Sequence, residues 1–361
     1  MNSLLNSFLR AVTVVAAMVT IYVISAPDTA GRWQRLAELT GFRLPPAQYD
    51  PRSARTGIGF SGSRATAISN GALPHDLLIG QGAGQRVTRL SADGEVVWTR
   101  KTGARLVGLE VFGAIVIAGL YEAIVAYDLE TGTEVWRHEQ EIPLAGIGRS
   151  EDGIIILPYS QIVPLAFASV SHETSKLGDA EFRHLEFRPN LARHAVETDS
   201  NIMIANTFDL RVHDITTQQR PGLQVYYPSQ IQMLDHDRIA VADEHGNRIS
   251  IWNRSTDQLE ILVGCNAPLY TDSTATPDII RQREAETWLG TMSACDARAD
   301  KEALLSPNGF HIVDDMIYVA DTDNHRIAVF DLNQRRLIGE VTGLNAPVRV
   351  IGLDGRTGQT D

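Results

Sequence analysis

The sequence predicts an all-β fold: a six-bladed β-propeller with an N-terminal transmembrane helix and one helical insertion. Three observations predict it. A β-rich apolar run returns about every 38 residues, each return is followed by a hairpin of half-buried strands, and the first 27 residues hold a membrane-length apolar stretch. Length and composition agree. A chain of 361 residues is long for one ordinary domain but usual for a closed all-β repeat fold. Its 29 glycines and 15 prolines call for many turns, and 43% hydrophobic with 21% charged residues marks a packed chain. The balance of 32 basic against 44 acidic residues, net −12, argues against nucleic acid as a partner. Two cysteines exclude a disulfide-dense mini-protein and a four-cysteine zinc site.

The first element is residues 1–27. Leu4 to Ala26 carry one charge, Arg10, which sits near an end and can reach the headgroups. The segment reads as an uncleaved signal anchor. A cleaved signal peptide fits less well, because Ile24-Ser25-Ala26 followed by Pro27 is a poor cleavage site. Arg10 lies on one side and Arg32, Arg35 and Arg43 on the other, so flanking charge alone would keep the large domain cytoplasmic. The basic head of an exporting anchor and a cysteine pair suited to an oxidising compartment point instead to the periplasmic side of the cell membrane. Residues 28–63, with Pro45-Pro46 and Pro51, read as a linker.

The propeller is expected over 64–361. Its apolar runs end just before Gln81, Gly119, Pro158, Asn206, Asp243 and Asp321, with separations of 38, 39, 48, 37 and 78. The last is one period plus an insertion, 265–305. Each run leads into strand, polar turn and strand, as in RVTRLSADGEVVWTRK and RIAVFDLNQRRLIGEV. Pro228 to Asp235, Pro307 to Asp314 and Pro347 to Asp354 share one proline-to-aspartate spacing. The third copy has no strands after it, so it is expected to complete the first blade and close the ring.

SPNGFHIVDDMIYVADTDNHRIAVFD resembles the NHL repeat, and YPSQIQMLDHDRIAVADEHGNRISIWN is a weaker copy. DGEVVWTRKTG and YDLETGTEVWRHE are similar to the quinoprotein-type (PQQ-like) repeat, in which a tryptophan docks neighbouring blades; Trp98 and Trp136 stand one period apart. The NHL likeness covers about 75 residues. It implies a propeller and leaves the activity open, since propellers host enzymes and scaffolds alike. The calcium ligands of sugar-acid lactonase propellers, the paired histidines of arylsulfotransferase-type propellers and the vicinal cysteines of quinoprotein dehydrogenases have no counterpart in the sequence, so no cofactor and no metal site is expected.

Candidate binding residues follow from the repeat. Asp243, Asp321 and Asn206 occupy equivalent strand ends that could face a central mouth and bind a hard cation. The arginines five residues on, Arg248 and Arg326, give the two aspartates a structural alternative: closing a turn. His311 and Gln232 lie four residues after their prolines, on strands expected to line the channel. In the insertion, Thr276-Pro277-Asp278 is a helix start, Trp288 lies on the apolar face of the helix to Met292, and Cys265 and Cys295 would pin the base as a disulfide if oxidised. The glycines at 80, 82 and 84 lie between strands and do not make a dinucleotide site.

The expected function is a membrane-anchored, extracytoplasmic binding or scaffolding module in an envelope protein assembly. Its partners would be a protein and, at the central channel, a small molecule. The alternative is a metal-dependent hydrolase or lyase working in that channel.

Overall fold

The computed structural model describes residues 73–141, 143–149, 153–158, 170–177, 180–187, 192–198, 201–207, 211–214, 223–225, 227–265 and 303–353. All belong to one unit, Ile58–Asp361. The expected anchor (1–27), the linker (28–63), Trp288, Cys295 and nearly all of the insertion (265–305) lie outside them. Among the described residues there is no helix, and so none long and apolar enough to cross a membrane.

The described elements are strands arranged as a β-propeller. The first sheet holds β1 (Asp76–Gln81), β2 (Arg86–Leu90) and β3 (Val96–Lys101). The second holds β4 (Leu106–Phe112), β5 (Ile115–Leu120), β6 (Ala123–Asp128) and β7 (Glu134–Glu139). The third has eight strands: β8 (Leu144–Arg149), β9 (Gly153–Pro158), β10 (Val170–Leu177), β11 (Ala180–Phe187), β12 (Ala192–Thr198), β13 (Asn201–Asn206), β14 (Arg211–Asp214) and β15 (Leu223–Gln224). The fourth is β16 (Pro228–Met233), β17 (Arg238–Asp243), β18 (Arg248–Asn253) and β19 (Gln258–Gly264). The fifth is β20 (Pro307–Val313), β21 (Met316–Asp321), β22 (Arg326–Asp331) and β23 (Arg336–Val341). The last strand, β24 (Pro347–Leu353), returns to the first sheet in the order β24-β1-β2-β3, with Leu78 opposite Ile351 and Ile79 opposite Val350.

Five sheets replace the expected six. Two of the expected blades share the eight-stranded sheet, joined where β12 pairs with β8 at Val196 and Arg149. The physical cause lies in β8. Cβ atoms on Gly146 and Gly148 would fall 2.0 Å from the carbonyl oxygens of Arg193 and Ala195, so only glycine lets the two strands approach this closely. Part of that sheet also departs from the simple up-and-down order, because β9 pairs in parallel with β11.

The apolar runs are unbroken because both faces of each such strand are covered. In β1, Leu78 packs with Leu106, Val116 and Val125, whereas Leu77 and Ile79 pack on the opposite side with Tyr318, Val329 and Val350. A strand buried on both faces does not alternate. Trp98 docks one sheet on the next: its Nε1 donates to Leu129 O at 2.9 Å, and its ring lies against Gly132. Gly132 has φ +66 and leaves no space for a Cβ, which would sit 2.5 Å from the indole.

Candidate functional site

Six strands, β4, β8, β12, β16, β20 and β24, contact one another in a closed order around the propeller axis. Each carries a bulge directly after its first residue, and the extra residues are Val107, Ala145, Arg193, Ser229, Asn308 and Val348. A bulge leaves its residue outside the ladder and re-aims it. The result is a set of main-chain carbonyls at one end of the axis.

Arg349 gathers four of them. Its Nη1 donates to Asn308 O (2.9 Å), Asn308 Oδ1 (3.0 Å) and Val348 O (2.7 Å). Its Nη2 donates to Val107 O (3.3 Å) and Ser229 O (3.2 Å). One planar fork therefore ties together β4, β16, β20 and β24. The side chain is 3% exposed. Burial, and then the like charge of Arg193, pull its pKa down to about 10, while Glu110 and Glu244 act in the opposite direction.

Below this fork the ring is stapled by side chains. Gln232 Nε2 donates to Ile312 O (2.7 Å) and its Oε1 accepts from Ile312 N–H (2.8 Å), as a continuing ladder strand would. Gln230 does the same with Phe310 at 2.8 and 3.2 Å. His311 Nδ1 accepts from Gly352 N–H at 3.2 Å, linking β20 to β24. Glu110 Oε1 on β4 lies 3.0 Å from His194 Nε2 on β12.

The β17–β18 turn presents the groups that keep surface at this mouth. Asp243 and Arg248 are 0% and 1% exposed and form an ion pair at 3.3 Å. Asp243 Oδ1 also accepts from Tyr227 N–H (2.9 Å) and Gly246 N–H (3.2 Å), and Glu244 N–H donates to Tyr227 O (2.9 Å). These bonds fix Tyr227, Glu244 and His245 side by side. The rings of Tyr227 and His245 stack at 4.3 Å, and Arg193 Nη2 donates to the Tyr227 hydroxyl at 3.0 Å. Burial pushes the Glu244 carboxyl above its ordinary range, opposed by the positive charges of Arg193, His245 and Arg349. Asp321 builds the matching β21–β22 turn, bonding Leu305 N–H (2.6 Å), Asn324 Nδ2 (2.8 Å) and Arg326 Nε (2.7 Å).

The residues anticipated from sequence are thus distributed as follows. Asp243 lies directly behind the mouth groups and Asp321 builds the neighbouring turn. Gln232 and His311 cross-link the ring strands, and Asn206 is buried at the end of β13. Cys265 is buried where β19 ends, its N–H bonded to Asn247 O. Among the described residues no group of three or more His, Cys, Asp or Glu is placed to hold a metal ion. Arg193, Tyr227, Glu244, His245 and Arg349 are the site residues that sequence reasoning missed. One signal was there to read: Arg349 is a lone charge in the otherwise apolar strand PVRVIGL, two residues after its proline, as Gln230 is after Pro228.

No family model and no curated protein matches the sequence. Solved structures do. A nidogen/laminin complex contains a chain 10% identical, at a TM-score of 0.51, over 76% of this chain and 97% of that one. A protein of unknown function from Bacteroides caccae is 11% identical at 0.49, over 77% of this chain and 98% of that one. A putative 6-phosphogluconolactonase from Bacteroides fragilis is 11% identical at 0.48, over 80% and 99%. At such identities the first of these supports the propeller fold and nothing finer.

Proposed function

We propose that the chain is a binding module: a propeller held at the extracytoplasmic face of a membrane by residues 1–27, docking a protein partner in an envelope assembly. NHL- and quinoprotein-type repeats are the proposed ancestry, and a Cys265–Cys295 disulfide is proposed to pin the insertion. The observation that carries the reading is the closure of the axis. Arg349, Gln230, Gln232 and His311 hydrogen-bond the inner strands to one another, so recognition belongs to the surface around the mouth. Both ends of the insertion are fastened on that side, through Cys265 to Asn247 and through Leu305 and Ser306 to Asp321 and Asn247. Long insertions on one side of a repeat fold commonly carry recognition.

The test is site-specific photo-crosslinking from the full chain in its membrane. A probe at His325, beside the mouth, is expected to capture one discrete protein, and a probe at Asp315, at the opposite end of the strands, is not. Equal capture from both positions, or from neither, overturns the reading. Impermeant thiol labelling of single-cysteine variants in intact cells checks the orientation.

A hydrolase or lyase at the same mouth is the second reading, favoured by Glu244 held toward its protonated form beside Tyr227 and His245. Elemental analysis with melting before and after chelation tests the metal-dependent version of it. A stoichiometric metal whose removal lowers the melt would support that version, and no metal with no shift would remove it.

A further inference from the structure

We propose that the axial mouth binds a small oxyanion, a carboxylate or a phosphate, on the Arg193 guanidinium beside the stacked Tyr227 and His245 rings. This inference does not depend on the anchor or on a protein partner.

Four observations carry it. First, Arg349 places a full positive charge on the axis, and all five of its acceptors are neutral carbonyl or amide oxygens. Carbonyl dipoles solvate that charge without cancelling it. Second, the fork leaves Arg349 Nε buried with no acceptor among the described residues. Third, the bulge on β12 puts a second guanidinium at the same mouth, where Arg193 is half-buried and Arg349 is below the surface. The two are close enough for Arg193 to depress the proton affinity of Arg349, so each raises the local positive potential felt by the other. Fourth, both carboxylates that act on Arg349 are engaged otherwise: Glu110 Oε1 lies 3.0 Å from His194 Nε2, and Glu244 is shifted by burial toward its neutral form, which donates a hydrogen bond instead of repelling an anion.

The division of labour follows. Arg193 is the direct contact, since a guanidinium matches the two oxygens of a carboxylate or phosphate. Arg349 supplies field from beneath in a medium of reduced dielectric. The Tyr227–His245 pair, stacked at 4.3 Å, is a flat wall for the body of an organic anion. Asp323 lies near enough to Glu244 to add to its shift, and its carboxylate is engaged by the Ser306 hydroxyl at 2.7 Å.

Isothermal titration of the full chain with citrate, and separately with inorganic phosphate, in a low-chloride buffer tests the assignment. At least one anion is expected to bind saturably. Arg193→Gln is expected to weaken that binding roughly tenfold or more, the loss of one charge-assisted contact. Glu244→Gln is expected to tighten it at pH values where Glu244 is ionised and to flatten its dependence on pH. Arg336→Gln, on an exposed strand end away from the mouth, is expected to change nothing. Citrate binding alone assigns an organic acid, and phosphate binding alone assigns a phosphate. Arg193 is half-buried and donates to the Tyr227 hydroxyl, so the melt of Arg193→Gln is read beside the titration, and weakened binding supports the assignment only where that variant retains a cooperative melt near the parent's. Saturable binding to neither anion overturns the proposal, and so does binding that Arg193→Gln leaves unchanged.

Discussion

Replacing Arg349 by methionine keeps the length of the side chain and deletes the fork. Five acceptors lose their donor: the carbonyls of Val107, Ser229, Asn308 and Val348, and the Asn308 side-chain oxygen. A buried acceptor left dry costs roughly 1–3 kcal/mol. Those nearest the mouth regain water, and the cost of holding a desolvated cation disappears, which offsets part of the loss. With two carbonyls still dry, the net destabilisation is about 2–4 kcal/mol. At roughly 2 °C or slightly more per kcal/mol for a domain of this size, the melt should fall by about 4–10 °C. Urea unfolding followed by tryptophan fluorescence is the companion assay, with the midpoint moving and the slope constant. Arg349→Lys separates charge from geometry. An ammonium is a compact donor and cannot reach both carbonyl pairs, so it should recover less than half of the loss. A methionine variant within about 0.5 kcal/mol of the parent, the scale of an ordinary surface change, would refute the rivet. Full recovery by lysine would show that charge alone, without the fork, holds the ring.

Gly148→Ala should force β8 and β12 apart and destabilise by roughly 1–3 kcal/mol or more, with hydrogen exchange accelerating first at Val196 and Ala195. Gln232→Met leaves Ile312 N–H and C=O without their staple and should cost about 1–3 kcal/mol in urea unfolding, with Gln232→Glu recovering only the bond that its carboxylate accepts from Ile312 N–H. Glu244→Gln carries a pH signature. A carboxyl raised on folding binds its proton more tightly in the native state, so the parent loses stability as pH rises from about 4.5 through the raised value. The glutamine variant should match the parent at pH 4 and melt higher at pH 8. A melting difference that is constant with pH would exclude that ionisation as its source.

How much of this was legible can be judged residue by residue. The apolar runs named the buried second strand of nearly every sheet, because Leu77-Leu78-Ile79 and its counterparts have both faces covered and must be continuous. The repeated proline-to-aspartate spacing gave the return of β24 to β1. The fusion into five sheets was not legible, since it turns on where Gly146 and Gly148 lie relative to β12, some 45 residues later. The mouth was half legible. Asp243 could be recognised through its arginine five residues on, yet Tyr227, Glu244 and His245 matter only because hydrogen bonds across β16 and β17 bring them together. Arg193 is a bulge residue, and bulges leave no mark in a period-two pattern.

The pairing of β24 with β1 has a consequence for biogenesis. Among the described sheets, the first to be synthesised is the last that can be completed, because one of its inner pairings waits for nearly the whole propeller to be made. Until then β1 offers an open edge of unpaired amides beside Leu77, Leu78 and Ile79, and Arg349, itself on β24, has yet to reach the carbonyls it gathers. So long-range a closure is slow, and a chain stalled or cleaved before Pro347 would be left with a sticky strand edge and an unfastened axis.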